Sequence, residues 1–340
     1  MSKFISERTK WVWIVCLTLP VAFVSAVIFG ATALPLQDLI NTSDNYSAAR
    51  QVFEQLRLPR ALLAAAVGAM LGICGATTQG LFRNPLADPS LIGVTAGASA
   101  GAAVMIFFAA DIVSLKGVLG VGTISLGAFI GGALAVVLVY KIATTKEGTS
   151  VATMLLAGIA ITAVSGGLTS LIEFFANNEM LRRISLWRMG GLDGANTARV
   201  LVALIFAALV IGLLPRYSTA LNALLLGESE ARHLGISVQR TKASIVVLVA
   251  LGVAVSVALA GTIAFVGLIV PHIIRLLIGP DHRYLLPMSA VGGAVLLLFA
   301  DTVSRTIVAP IELPVGLVTA FLGAPFFISL LRQRGRYGFN

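Results

Sequence analysis

Arg57 and Arg60, separated by Leu58 and Pro59, are the residues best suited to recognition chemistry in this chain. Guanidinium groups form planar, two-pronged pairs with carboxylates, so two of them at the edge of an apolar run suit an acidic partner; they equally suit anchoring of a helix end among lipid headgroups. Pro59 fits a first helical turn. A second segment, Arg83-Asn84-Pro85-Leu86-Ala87-Asp88-Pro89, is a stiff turn in which two prolines bracket a capping aspartate. It reads as a plain turn or as a gate at the mouth of a pathway. In a third, Leu221 to Lys242, the residues Leu224, Leu225, Glu228, Ala231 and Arg232 recur at helical spacing, with Gly227 and Gly235 as breaks. That pattern predicts a short helix outside the apolar runs, which binds a partner or lies on lipid.

Bond-making chemistry has no comparable signature. The chain contains no G-x-x-x-x-G-K-[S/T] phosphate loop, no H-E-x-x-H, no C-x-x-C and no G-x-S-x-G. His233, His272 and His282 are isolated at the ends of apolar runs and read as solvent-facing or interface histidines, while Cys16 and Cys74 sit inside such runs. No catalytic residue, cofactor or metal site is expected.

The elements that position these residues follow from composition. Of 340 residues 58% are hydrophobic and only 11% charged, and the mean hydropathy is +0.96; a soluble domain carries about 25% charged residues. This excludes a soluble enzyme, a disordered chain and a disulfide scaffold, and leaves an all-α polytopic membrane protein. About 20 uncharged residues make one crossing. Nine charge-free runs are present, from 16 residues (Val200 to Pro215) to 32 (Ala243 to Ile274). The longest exceeds one span and holds Gly261, Gly267 and Pro271 as break points, so it is read as two. Ten crossings result, at about 11–35, 60–82, 90–110, 117–140, 150–173, 199–215, 243–262, 264–278, 284–303 and 313–331. The first is longer than a secretory signal core and is read as a retained span. A single transmembrane domain over 1–340 is expected, with a non-membrane segment at 217–242.

Lys and Arg collect on the cytoplasmic side of a membrane. With both termini inside, the inner segments carry 15 basic and six acidic residues and the outer ones nine of each. The net charge of +9 is therefore a topology signal, and nucleic acid is not needed to explain it. The runs are free of Asp, Glu, Lys and Arg, which argues against an ion-coupled carrier, because carriers place an ionisable group near mid-membrane. The motor lies elsewhere. Small residues four apart, such as Gly68 and Gly72 or Gly93, Gly97 and Gly101, let helix backbones approach closely and predict a tight bundle.

These residues resemble a known family. Arg57-Leu58-Pro59-Arg60, Gln79-Gly80-Leu81-Phe82-Arg83-Asn84-Pro85-Leu86-Ala87-Asp88-Pro89, Leu91-Ile92-Gly93, Trp187-Arg188-Met189-Gly190-Gly191, Leu226-Gly227-Glu228 through Leu234-Gly235, Gly267-Leu268-Ile269-Val270-Pro271-His272, Asp281-His282-Arg283, and Glu312-Leu313-Pro314-Val315-Gly316 through Gly323-Ala324-Pro325 are similar to the FecCD family, the BtuC-like permeases of ABC importers for ferric siderophores, haem and cobalamin. The matches run from about residue 57 to 331.

The resemblance implies a BtuC-like type II importer permease fold with ten spans in the bacterial inner membrane. It implies a second copy of the chain in a homodimer, two cytosolic ABC ATPase subunits, and a periplasmic substrate-binding protein. Carried over by position, Arg57, Arg60 and Arg305 match outward arginines that receive acidic residues of the binding protein. Asn84, Leu86, Thr149 and Ser150 match cytoplasmic gate positions. Gly227, Glu228, Ala231, Leu234 and Gly235 match the coupling helices that fit a groove on the ATPase. The texture of Thr149 to Gly158 and of Pro325-Phe326-Phe327 resembles the haem importers, with ferric siderophore and cobalamin as alternatives. An outer axial contact to haem iron would come from Tyr46, Met180 or Met189.

Overall fold

A computed structural model describes residues 2–30, 48–109, 118–146 and 148–337. Apolar runs become helices because a helix pairs every backbone N–H and C=O internally where water cannot. In chain order the elements are α1 (Ser2–Ile28), α2 (Ala48–Gln51), a π-helical turn (Val52–Arg57), α3 (Leu58–Leu81), α4 (Val94–Ala109), α5 (Val118–Ala143), the two-residue strands β1 (Thr144–Thr145) and β2 (Gly148–Thr149), α6 (Val151–Phe175), α7 (Asn178–Met189), α8 (Thr197–Leu213), α9 (Ser218–Leu225), α10 (Glu228–His233), α11 (Val238–Ala260), α12 (Val266–Ile278), α13 (His282–Thr306) and α14 (Val315–Tyr337). Seven of the described helices are long and apolar enough to cross a membrane. Three shorter apolar helices, Val94–Phe108, Val266–Ile278 and Val315–Ser329, stand where the other crossings are expected. Positions 31–35, 110 and 117 of the expected spans lie outside the described residues.

Helix α3 is the hub, buried along nearly its whole length. Its glycines allow this. A Cβ on Gly68 or Gly72 would collide with the backbone of Gly293 or Ser289 on α13, and one on Gly75 with Gly267 on α12. The same device joins α4 to α5, where Gly97 faces Gly131 and Gly101 faces Gly127.

Four details depart from the sequence-based expectations. The 32-residue run breaks only at residues 261–265, where Gly261 takes φ +67°, and α12 runs on through Gly267 and Pro271. Proline lacks the N–H that would bond the carbonyl of Gly267 four residues earlier. The buried Gln79 side chain of α3 supplies the missing donor, from Nε2 to Gly267 O at 3.4 Å and Leu268 O at 3.2 Å. The second span starts earlier than Arg60, because α2 and the π turn lead straight into α3, with the N–H of Leu58 bonded five residues back to Phe53. Connection 174–198 contains the helix α7, capped by Asn177. Segment 217–242 forms two short helices rather than one, parted at Gly227, whose φ of +120° excludes a β-carbon-bearing residue.

Candidate functional site

The residues singled out above gather at the two ends of the bundle. At the end where α3 begins, Arg60 lies between two acids, with Nε 2.9 Å from Asp301 Oδ1 and Nη1 2.6 Å from Glu312 Oε2. Arg305, one turn beyond Asp301 on α13, is ion-paired to Asp301 Oδ2 at 3.1 Å and donates from Nη2 to Ala26 O at 2.8 Å. Arg57 donates to Val27 O at 3.0 Å and also to Ile28 O. The last carbonyls of a helix lack intrahelical partners and favour nearby cations; Arg57 and Arg305 complete the end of α1 in this way. Both are 4% exposed. In the single copy these two are turned into the bundle, where they cap α1. Among the three, Arg60 retains some exposure, 12% of its side chain.

Beside Arg60 opens a cavity of about 450 Å³ whose walls include Trp187, Asp193, Arg199, Glu312 and Leu313. Three sequence motifs meet around it because glycines let them touch: Gly261 packs on the carbonyl of Trp187, Gly190 on that of Thr262, and Gly316 on that of Met189. Of the three residues considered for contact with haem iron, Met189 is 40% exposed, Met180 packs against the core, and Tyr46 lies outside the described residues.

At the opposite end the turn after α3 is self-braced. The N–H of Asn84 bonds Gln79 O at 3.1 Å, Asn84 Oδ1 accepts from the N–H of Leu86 at 3.0 Å, and Asp88 Oδ1 accepts from the N–H of Ser90 at 2.9 Å. Asn84 is exposed and Leu86 half-buried. Next to β2, Ser150 caps α6, accepting from the N–H of Thr153 at 3.3 Å, and is exposed, while Thr149 is 4% exposed. The β1–β2 hairpin is closed by a hydroxyl contact between Thr144 and Thr149 at 3.0 Å. Both prospective gate segments are thus short, stiff and at one end.

The pair α9–α10 lies at that same end. Leu225, Leu226 and Leu234 project as exposed apolar side chains, and Gly235 is exposed. Gly227 and Glu228 are half-buried, and Ala231 is fully buried against the bundle. Asn222 of α9 fastens this pair to α13: its Nδ2 donates to Asp281 Oδ1 at 2.7 Å, and its Oδ1 accepts from the N–H of His282 at 3.0 Å and contacts Nδ1 of the same ring at 2.7 Å. The ring of His282 in turn fills the space over Gly80 at the end of α3. His282 is 2% exposed, so of the two readings, solvent-facing or interface, the solvent-facing one is set aside: the ring is a wedge between helices. His272 packs edge-on against Phe326 with ring centroids 5.9 Å apart.

Sequence reasoning missed Asn222, His282, Gln239 and Lys242 as connecting residues. One signal for Lys242 was present: it falls on the stripe Val238, Lys242, Ile245, Val249, in register with the buried face of α11. Counted as a basic loop residue, it was not placed on that face.

Comparison with known proteins agrees with this architecture. The model of the FecCD transport family matches residues 17–333. The chain is 44% identical over 308 residues to the hemin transport system permease protein HmuU of Yersinia pestis, covering 90% of both chains. It is 43% identical over 286 residues to the cobalamin import system permease protein BtuC of Halobacterium salinarum, covering 84% of this chain and 74% of that one. A solved structure described as an inward-facing conformation of a metal-chelate type ABC transporter superposes with a TM-score of 0.83 at 31% identity, over 96% of this chain and 99% of the other. The chain belongs to the FecCD transport family, as a multi-pass, non-catalytic permease subunit of an ABC transporter whose ATPase is a separate chain.

Proposed function

We propose that this permease carries haem across the bacterial inner membrane, receiving it from a periplasmic binding protein and releasing it to the cytosol as two ATPase subunits bind and hydrolyse ATP. The observation that carries the importer reading is the collection of both prospective gate segments and the α9–α10 pair at one end of a bundle whose exposed α6 face is uncharged from Ala152 to Leu171; haem as the cargo is supported by the 44% identity to a hemin permease. A fixed charge would trap a large chelate, so an uncharged wall suits its passage. The basic excess of the segments at the gate end orients that end, and both termini, toward the cytosol.

The α6 face is a long apolar surface left open by one copy, with 22% of its span buried. Leu156, Ile159, Val164, Leu168 and Phe174 project from it, and Gly166 and Gly167 have open space before them. A second copy of the chain covers this face, and the pathway runs along the axis between the two. Closure of the ATPase dimer moves α9–α10 as a rigid body, and the stiff turn 83–88 and the β1–β2 hairpin follow. The binding protein docks at the end carrying Arg57, Arg60 and Arg305, where Arg60 offers the accessible guanidinium.

Ferric siderophore or cobalamin is the alternative cargo; the near-equal identity to a hemin and to a cobalamin permease favours keeping cobalamin in view. Reconstitution of the permease with its ATPase and binding protein tests the reading by scoring ATP-dependent uptake of haem, ferric siderophores and cobalamin in parallel. Haem uptake is expected. Uptake of cobalamin alone reassigns the cargo, and accumulation driven by an ion gradient without the ATPase removes the importer reading.

A further inference from the structure

Lys242 is a large charged side chain sealed in the described core, 2% exposed. Its Nζ lies 2.5 Å from Glu228 Oε1 at the start of α10 and donates to the backbone carbonyl of Thr149 at 2.7 Å. One turn earlier on the same face of α11, Gln239 Oε1 accepts the N–H of Thr149 at 2.9 Å. A single helix face therefore grips both backbone groups of one hairpin residue. The fit is close, since a Cβ on Gly148 would collide with the Gln239 side chain. Thr149 leads directly into Ser150, the cap of α6.

A buried ammonium is tolerated only while it is paired and hydrogen-bonded. Arg232 also faces Glu228, at 3.8 Å, but is 62% exposed and can swing into solvent. Lys242 has no such exit. If α10 shifts, Lys242 either draws the hairpin with it or is left as an unpaired charge inside an apolar bundle. The first course keeps the charge compensated and is the one the packing favours.

We propose that Lys242 is the strut that transmits displacement of α10 to the inner gate, tying Glu228 to the carbonyl of Thr149 while Gln239 holds the same residue from its N–H. Lys242 is thus a positioning residue, and the proposal rests on the permease reading above.

The test reads the gate directly and needs no cargo. In a Cys16→Ser, Cys74→Ala background, Ser150→Cys is labelled with a membrane-impermeant maleimide in the assembled complex with its ATPase, with and without ATP plus vanadate. The parent complex is expected to change its labelling rate at least about fivefold on adding ATP, the scale of a typical coupling between sites. Lys242→Met is expected to reduce that response to under about twofold while ATPase attachment and basal ATP hydrolysis persist. A full response per assembled complex in Lys242→Met overturns the strut, and lowered thermal stability with a full response marks Lys242 as structural only. Should Lys242→Met fail to assemble, Glu228→Gln, normalised to bound ATPase, serves in its place: a lost response supports the strut and a full one overturns it. A parent complex that ignores ATP removes the permease reading and the strut together.

Discussion

Arg305 donates from Nη2 to the main-chain oxygen of Ala26 at 2.8 Å, joining the end of α13 to the end of α1 across 279 positions of sequence. Arg57 does the same for Val27 at 3.0 Å. Two of the three arginines expected to meet a partner thus complete the first helix, which gives the prospective docking end a rigid rim.

Arg305→Met is expected to destabilise the subunit by about 3 kcal/mol, the scale of breaking a buried ion pair from one side. Thermal unfolding in detergent measures the loss, and limited proteolysis shows α1 released first. A variant as stable as the parent would show that α1 is held by other contacts.

Glu312, 2.6 Å from Arg60 and 38% exposed, competes with a partner's carboxylate for that guanidinium. Glu312→Gln is expected to strengthen capture of the binding protein by permease in nanodiscs, and Arg60→Gln to weaken it about tenfold, with both effects shrinking at high salt. Equal affinity in the two variants would move docking elsewhere on this face.

Gly166 on α6 has open space where a side chain would stand. In an isolated subunit Gly166→Trp meets no neighbour, whereas at the proposed contact with a second copy the indole is expected to obstruct packing. Light scattering of the detergent-solubilised protein is expected to find dimers for the parent and monomers for this variant. A dimeric Gly166→Trp would place the two-fold contact on another face.

Burial alone would raise the Asp281 carboxyl, but the N–H of Arg283, the amide of Asn222 and the charges of Arg283 and Arg8 together hold it below the usual carboxylate range. A depressed group contributes stability that is present above its unfolded value, about 4, and is lost as pH falls through the lower folded value. The thermal midpoint of the parent is expected to exceed that of Asp281→Ala at neutral pH and to converge on it in strong acid. A gap independent of pH would assign the effect to packing instead.

The bundle itself was legible in the sequence. Charge-free runs of membrane-spanning length and glycines four apart depend only on local composition and on the need to pair backbone groups inside hydrocarbon, so the helices and the tightness of the bundle follow from spacing, whereas the partner that Gly68 meets, Gly293, does not. The break of the longest run was half legible. Gly261 does end α11, but the continuity through Pro271 depends on Gln79, 188 positions away from the Gly267 carbonyl it serves. The site was legible as residue types and not as contacts. Arg57, Arg60 and Arg305 announce themselves as guanidinium groups near the ends of spans, yet which of them caps a helix and which keeps an exposed edge depends on where α1 ends beside α13. Lys242 counted as one basic residue among 15 until folding brought Glu228 and Thr149 to it from separate segments. Periodicity reports which face of a helix is apolar, because that is a property of neighbours in the chain. Which distant groups satisfy a buried charge is a property of neighbours in space, and only the tertiary structure decides it.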